Sequence, residues 1–138
     1  MTVRTFILED DVSRMGLFHE VLGFNVTHRD NVEDAKKVYE KYKPFDIVLL
    51  DHDLCNEHYV GKRLDENTGY QFAEWLAKTQ DCNEATYVVI HSYNPDGAER
   101  MEDVLQKSGW NAHRIPFGFG LLNWLRGSVD DVKEETKV

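Results

Sequence analysis

The stretch Asp46-Ile-Val-Leu-Leu-Asp-His-Asp-Leu54 constrains this chain more than any other. It opens as an apolar run, Ile47 to Leu50, and stops abruptly at Asp51-His52-Asp53. A short apolar run with polar limits predicts a strand buried on both faces of a parallel sheet. In such sheets, ligands bind beyond the carboxyl ends of the strands. Three ionisable residues therefore stand where chemistry is expected. Strand alternation would place Asp51 and Asp53 on one side and His52 on the other. The bland alternative is that the two aspartates serve as turn and cap residues and His52 is solvated.

Two further polar clusters follow apolar runs. Thr5 to Leu8 reads as a strand ending in Glu9-Asp10-Asp11, and Ala85 to Ile90 as a strand ending in His91-Ser92-Tyr93-Asn94. Asp11 or Ser13 would cap the helix that carries Met15, Phe18, Val21 and Leu22 as far as Gly23. Glu9 and Asp10 lie before that helix, where capping explains an acidic pair less well. Asn94-Pro95 has the pattern of an N-cap with proline at the first helical position, which opens a helix to about Lys107. His91 and Ser92 have no capping role.

Between these elements, Phe24 to Thr27 predicts a short strand. Asn31 would cap a helix from about Val32 to Tyr42. Thr68-Gly69 opens another helix, with Tyr70, Phe72, Ala73, Trp75 and Leu76 as its apolar side. Ala112 to Ile115 predicts the fifth strand, and Leu121, Leu122, Trp124 and Leu125 the last helix. From Gly127 the chain turns polar and acidic, so the domain is expected to span residues 1–126, with a frayed tail over 127–138. Residues 52–67 form a long polar connection of the kind that often serves as a lid or binding loop. His58, Lys62 and Arg63 within it could reach over a site at the strand ends; plain surface variation accounts for them equally well.

Strands and helices alternate five times. The pattern predicts an α/β domain: a five-stranded parallel sheet with helices on both faces, joined by right-handed crossovers, in a flavodoxin-like or receiver-like (βα)5 arrangement. At 138 residues a single core is sufficient. The 16 basic and 25 acidic residues give a net charge of −9, which argues against general binding to duplex nucleic acid. No apolar run approaches the roughly 20 residues that span a bilayer. The opening Met-Thr-Val-Arg-Thr-Phe reads as the entry to a strand and not as a signal peptide. Cys55 and Cys82 have no metal-binding spacing, and a chain of this size needs no disulfide. The expected compartment is the reducing cytoplasm.

The acidic pair after the first strand and the aspartate ending the third resemble the receiver domain of two-component response regulators, over about residues 3–126. On that resemblance Glu9 and Asp10 match the metal-binding acids, and Asp51 matches the phosphoacceptor. Two features depart from it. Ile115 stands where receivers carry a lysine before Pro116, and His91-Ser92-Tyr93-Asn94 replaces a threonine or serine followed by a small residue. Asp51-His52-Asp53-Leu54, Thr68-Gly69 and His91-Ser92-x-Asn94-Pro95-x-Gly97 with Met101 are more similar to the cyclic-phosphate-processing receiver-like family. That resemblance implies action on cyclic phosphates, such as an RNA 2′,3′-cyclic phosphate or a cyclic nucleotide. The receiver resemblance also allows a homodimer through the last helix and neighbouring strands.

Converging carboxylates repel and raise one another's pKa unless a cation neutralises them. The expected metal ligands are Glu9, Asp10, Asp51 and Asp53, holding Mg²⁺ or Mn²⁺. Asp51, His52, His91 and Ser92 are the candidate catalytic residues, with the histidines as general acid and base. Asn94, His58 and Arg63 are the candidate substrate contacts. A phosphoacceptor module built on Asp51, and a phosphate-binding pocket without catalysis, remain open alternatives.

Overall fold

The computed structural model describes residues 3–54 and 68–135, with side chains as far as 128. The chain runs β1 (Thr5–Leu8), α1 (Val12–Leu22), β2 (Thr27–Arg29), α2 (Val32–Tyr42), β3 (Ile47–Leu50), α3 (Gly69–Thr79), β4 (Tyr87–Ile90), α4 (Pro95–Lys107), β5 (Asn111–Arg114) and α5 (Phe119–Glu135). The strands form one sheet in the order β2-β1-β3-β4-β5, and every pair is parallel. This is the doubly wound flavodoxin-like order, with its topological switch between β1 and β3.

Strand alternation divides the core in two. Phe6, Leu8, Val48, Leu50, Val88 and Ile90 face α2, α3 and α4, where Phe72, Leu76, Met101 and Leu105 complete one cluster. Ile7, Leu49 and Val89 face α1 and α5, against Met15, Phe18, Leu121 and Leu125. Burying each such Leu or Phe contributes about 1.5–3 kcal/mol. The continuous apolar runs of β1 and β3 follow from this, because both strands are covered on both faces.

The helix starts follow the expected caps. Asp11, Asn31, Thr68 and Asn94 each accept a backbone N–H of the first turn. Among the strands, β2 departs most from the sequence reading. It lies at Thr27–Arg29 rather than Phe24–Thr27, and Phe24 is exposed, stacked on His19. An edge strand is placed by its hydrogen-bonding register, here Phe6 opposite Thr27 through Leu8 opposite Arg29, and not by apolar content. Strand β4 starts two residues later than expected, and β5 lies one residue earlier. The backbone of α5 stays helical through Gly127 to Glu135, past the expected tail boundary; an interior glycine costs a helix only about 1 kcal/mol. Asp53 and Thr68 form an antiparallel bridge, so the two ends of the long connection meet. His58, Lys62 and Arg63 lie outside the described residues. Among the described residues, no helix is long and apolar enough to cross a membrane.

Candidate functional site

The sheet register builds the site. Leu8 pairs with Leu50, and Leu50 with Ile90. The ladder continues one step further: the Asp51 N–H donates to the Leu8 carbonyl and the His91 N–H to the Leu50 carbonyl, both at 3.0 Å. Glu9, Asp51 and His91 therefore stand level on three adjacent strands. Their parity continues that of Ile7, Leu49 and Val89, so they share the α1/α5 face. Each offers one ligand atom, and the three atoms lie within 4.8 Å of one another. All three residues are buried. This cluster sits at the switch point, and it can hold a metal ion.

His91 Nε2–H donates to Glu9 Oε1 at 3.1 Å. The ring packs edge-on against Phe18 at 5.3 Å and near Phe117 at 6.5 Å. Tyr93 Oη donates to the Phe117 carbonyl at 2.6 Å, which ties the β4–α4 loop to the β5–α5 loop beside the imidazole. Burial pushes the His91 pKa down, so the ring is neutral, and Nδ1 has no partner among the described residues.

Arg14, which sequence reasoning missed, completes the cluster. Its Nε donates to Glu9 Oε1 and its Nη2 to Glu9 Oε2 at 3.2 Å; Nη2 also reaches Asp51 Oδ2 at 3.3 Å. The available signal was its position. A cation in the first turn of a helix opposes the helix dipole, so another partner must hold it there. Burial raises the Glu9 pKa, but hydrogen bonds from His91 and Arg14 outweigh it and hold this carboxyl at about 2. Asp51 is pushed up to about 8, first by burial and then by the Glu9 charge; Arg14 offsets only part of this.

The other candidate site residues are placed differently from the expectation. Strand β3 ends at Leu50, so alternation does not extend to Asp53. Asp53 turns toward His52 and accepts from its Nδ1–H at 2.8 Å, instead of joining Asp51. Neither Asp53 nor Asp10 belongs to the facing set of ligand atoms. Asp10 donates its backbone N–H to Glu9 Oε2 at 3.0 Å. Asn94 caps α4 through the Gly97 N–H at 3.0 Å, and its Nδ2 donates to Asp53 Oδ1 at 3.3 Å. Ser92 Oγ accepts the Asn94 N–H at 3.0 Å and so shapes this turn.

Two glycines of the motifs are required by close approach. A Cβ on Gly97 would lie 2.5 Å from the His52 ring, and one on Gly69 would lie 1.7 Å from the Asp51 carbonyl oxygen. The Gly69 N–H donates to the His52 carbonyl at 2.8 Å, so α3 starts directly against the end of β3.

The sequence matches the family described as the cyclic-phosphate processing receiver domain over residues 6–107. The chain belongs to that family. Among solved structures, this receiver domain is similar to the signal receiver domain of a LuxO repressor protein from Vibrio parahaemolyticus, at 19% identity and TM-score 0.62, covering 99% of this chain and 94% of that one. It is also similar to the Mn²⁺-bound response regulator Rcp1, at 16% identity and TM-score 0.59, covering 91% and 90%. The BeF3-activated receiver domain of DrrB matches at 18% identity and TM-score 0.61, covering 97% and 99%. At these identities the likeness establishes the fold. No curated protein matches the chain at a significant level.

Within this receiver domain, Ile115 continues the ladder beside His91, its N–H donating to the Ile90 carbonyl at 3.0 Å. The β5 end therefore brings an aliphatic side chain where receivers carry a lysine. Arg114, next to it, is turned to the Ser92 carbonyl at 3.2 Å.

Proposed function

We propose that this receiver domain hydrolyses a cyclic phosphodiester of the 2′,3′-cyclic phosphate class, with a divalent metal ion held by Glu9 and Asp51 beside His91. The observation that carries this reading is the convergence of these three buried residues at the switch point. Two carboxylates suit a hard divalent ion such as Mg²⁺ or Mn²⁺. When bound, such an ion polarises a phosphate oxygen and stabilises charge in the transition state.

The chain's own residues divide the remaining work. His91 is a positioning residue: its Nε2–H holds Glu9 in place, and Phe18 and Phe117 keep water from its ring. His91 and His52 are both buried, on opposite faces of the strand ends, so of the two histidines only His91 stands beside the metal-binding acids. Asp53 accepts from His52 Nδ1–H, which orients the ring. Asn94 braces this pair through Asp53.

The test is phosphoester turnover by the purified protein with Mg²⁺ or Mn²⁺. The substrates are 2′,3′-cyclic nucleotides, RNA ending in a cyclic phosphate, and cyclic dinucleotides, with Asp51→Asn as control. Turnover that disappears in the control supports the reading; no turnover on any substrate overturns it. The second reading is a phosphoacceptor module, supported by the place of Asp51 at the end of β3 in a receiver fold. A stable adduct on Asp51 after acetyl phosphate or beryllofluoride, without cyclic-phosphate turnover, would favour it. The aliphatic Ile115 at the β5 end weighs against it.

A further inference from the structure

Arg14 is the one cation that touches the acid cluster among the described residues. It rises from the first turn of α1, where the Asp11 cap accepts its backbone N–H at 2.9 Å. Its guanidinium spans both Glu9 oxygens and Asp51 Oδ2, so it occupies the carboxylate oxygens that a divalent ion would need. The Arg14 side chain is 25% exposed, while those of Glu9 and Asp51 are 0% and 5% exposed. The guanidinium therefore has a path to solvent that the acids lack. No lysine at the β5 end shares the task, since Ile115 stands there.

We propose that Arg14 is an exchangeable counter-ion. In the metal-free protein it pairs with ionised Glu9 and hydrogen-bonds Asp51; when a divalent ion takes those oxygens, Arg14 moves outward and binds an oxygen of the ligand's phosphate. This deepens the metal-and-phosphate reading above and rests on it. A guanidinium and a divalent ion cannot share the same oxygens, because like charges a few ångströms apart repel strongly in a buried site. The released fork of N–H donors matches phosphate geometry. Two carboxylates, a divalent ion and a guanidinium leave one net positive charge. A phosphodiester monoanion neutralises that charge, and a phosphomonoester dianion overshoots it. The arrangement thus favours diester ligands, with Arg14 taking over the role of the missing receiver lysine from a different element.

The experiment measures Mn²⁺ affinity by calorimetry for the wild type, Arg14→Gln and Arg14→Ala, each as the full chain. Removing the competing cation should tighten Mn²⁺ binding at least about tenfold in both variants. At saturating Mn²⁺, affinity for dimethyl phosphate, a diester monoanion, should fall at least about tenfold in both. Unchanged or weaker Mn²⁺ binding in the variants overturns the counter-ion exchange. Mn²⁺ binding that tightens with unchanged dimethyl phosphate affinity overturns the phosphate role. Mn²⁺ binding by none of the three proteins overturns the metal reading itself, and the inference with it. A wild-type measurement guards against variants that do not fold. The Arg14 Nε–H resonance should be protected from exchange without metal and lose that protection when Mg²⁺ is added; an unchanged resonance overturns the proposal.

Discussion

His91 Nε2 lies 3.1 Å from Glu9 Oε1, a hydrogen bond that passes from the end of β4 to the end of β1 across the intervening β3. Both side chains are nearly inaccessible to solvent, and the imidazole is wedged against Phe18. Sequence alone made His91 a candidate catalytic residue; its burial adds a structural role. His91→Ala should cost about 2–4 kcal/mol, from the cavity beside Phe18 and from the donor lost to a buried carboxylate. Urea unfolding at neutral pH measures this, and an unchanged midpoint would contradict the structure. Mn²⁺ binding should weaken in the same variant.

The two acids give metal-free stability opposite dependences on pH. Burial and the Glu9 charge raise Asp51 from an ordinary 3.8 to about 8, so its ionisation opposes folding. Stability linked to Asp51 is complete at low pH and is lost as pH rises from about 4 to about 8. Glu9 is lowered from 4.5 to about 2, so its contribution is present above 4.5 and lost as pH falls toward 2. Thermal melts in EDTA should show the alkaline decline in the wild type and a much flatter profile in Asp51→Asn. Saturating Mn²⁺ should also offset the decline, because the ion stabilises the ionised carboxylate. A wild-type profile that matches the variant's from pH 4 to 8 would count against the burial of Asp51.

Gly69→Ala places a Cβ 1.7 Å from the Asp51 carbonyl oxygen. That contact is with backbone, which cannot rotate away, so α3 must shift from the end of β3. A loss of about 3 kcal/mol or more is expected, seen as an early unfolding midpoint or a poor yield of folded protein. Gly16→Ala, which meets nothing within 4 Å, is the matched control and should be neutral or slightly stabilising.

Asn94→Ala removes the α4 cap and the brace on Asp53 together. The cap alone accounts for about 1–2 kcal/mol. Asn94→Asp keeps a capping oxygen but loses the Nδ2 donor and sets a carboxylate beside Asp53. It should therefore recover most of the stability and little of the activity. Comparing urea midpoints with turnover in the two variants separates these roles. Equal turnover in Asn94→Asp and the wild type would remove Asn94 from the site.

Local chemistry carried most of the fold in readable form. The apolar runs of β1 and β3, the caps at Asp11, Asn31, Thr68 and Asn94, and the breaker Gly23 mark their elements because burial and capping act on neighbouring residues. The same logic marked the strand ends at Glu9, Asp51 and His91. The sequence determined that much by itself: which segments are strands and helices, that the strands are parallel, and that three polar clusters meet at one edge.

Tertiary structure decided which members of those clusters face one another. The register of Leu8 with Leu50 and of Leu50 with Ile90 sets Glu9, Asp51 and His91 level on the α1/α5 face. The end of β3 at Leu50 freed Asp53 to turn to His52, away from the acids. Edge pairing placed β2 at Thr27–Arg29, where its own side chains carry little signal. Arg14 reached the acids across the end of the sheet, against the preference of its own helix turn. The physical reason is that strand register, and the Arg14 contact to Asp51, join residues far apart in the chain, while the turn of Asp53 toward His52 depends on where the sheet ends; no local pattern encodes either.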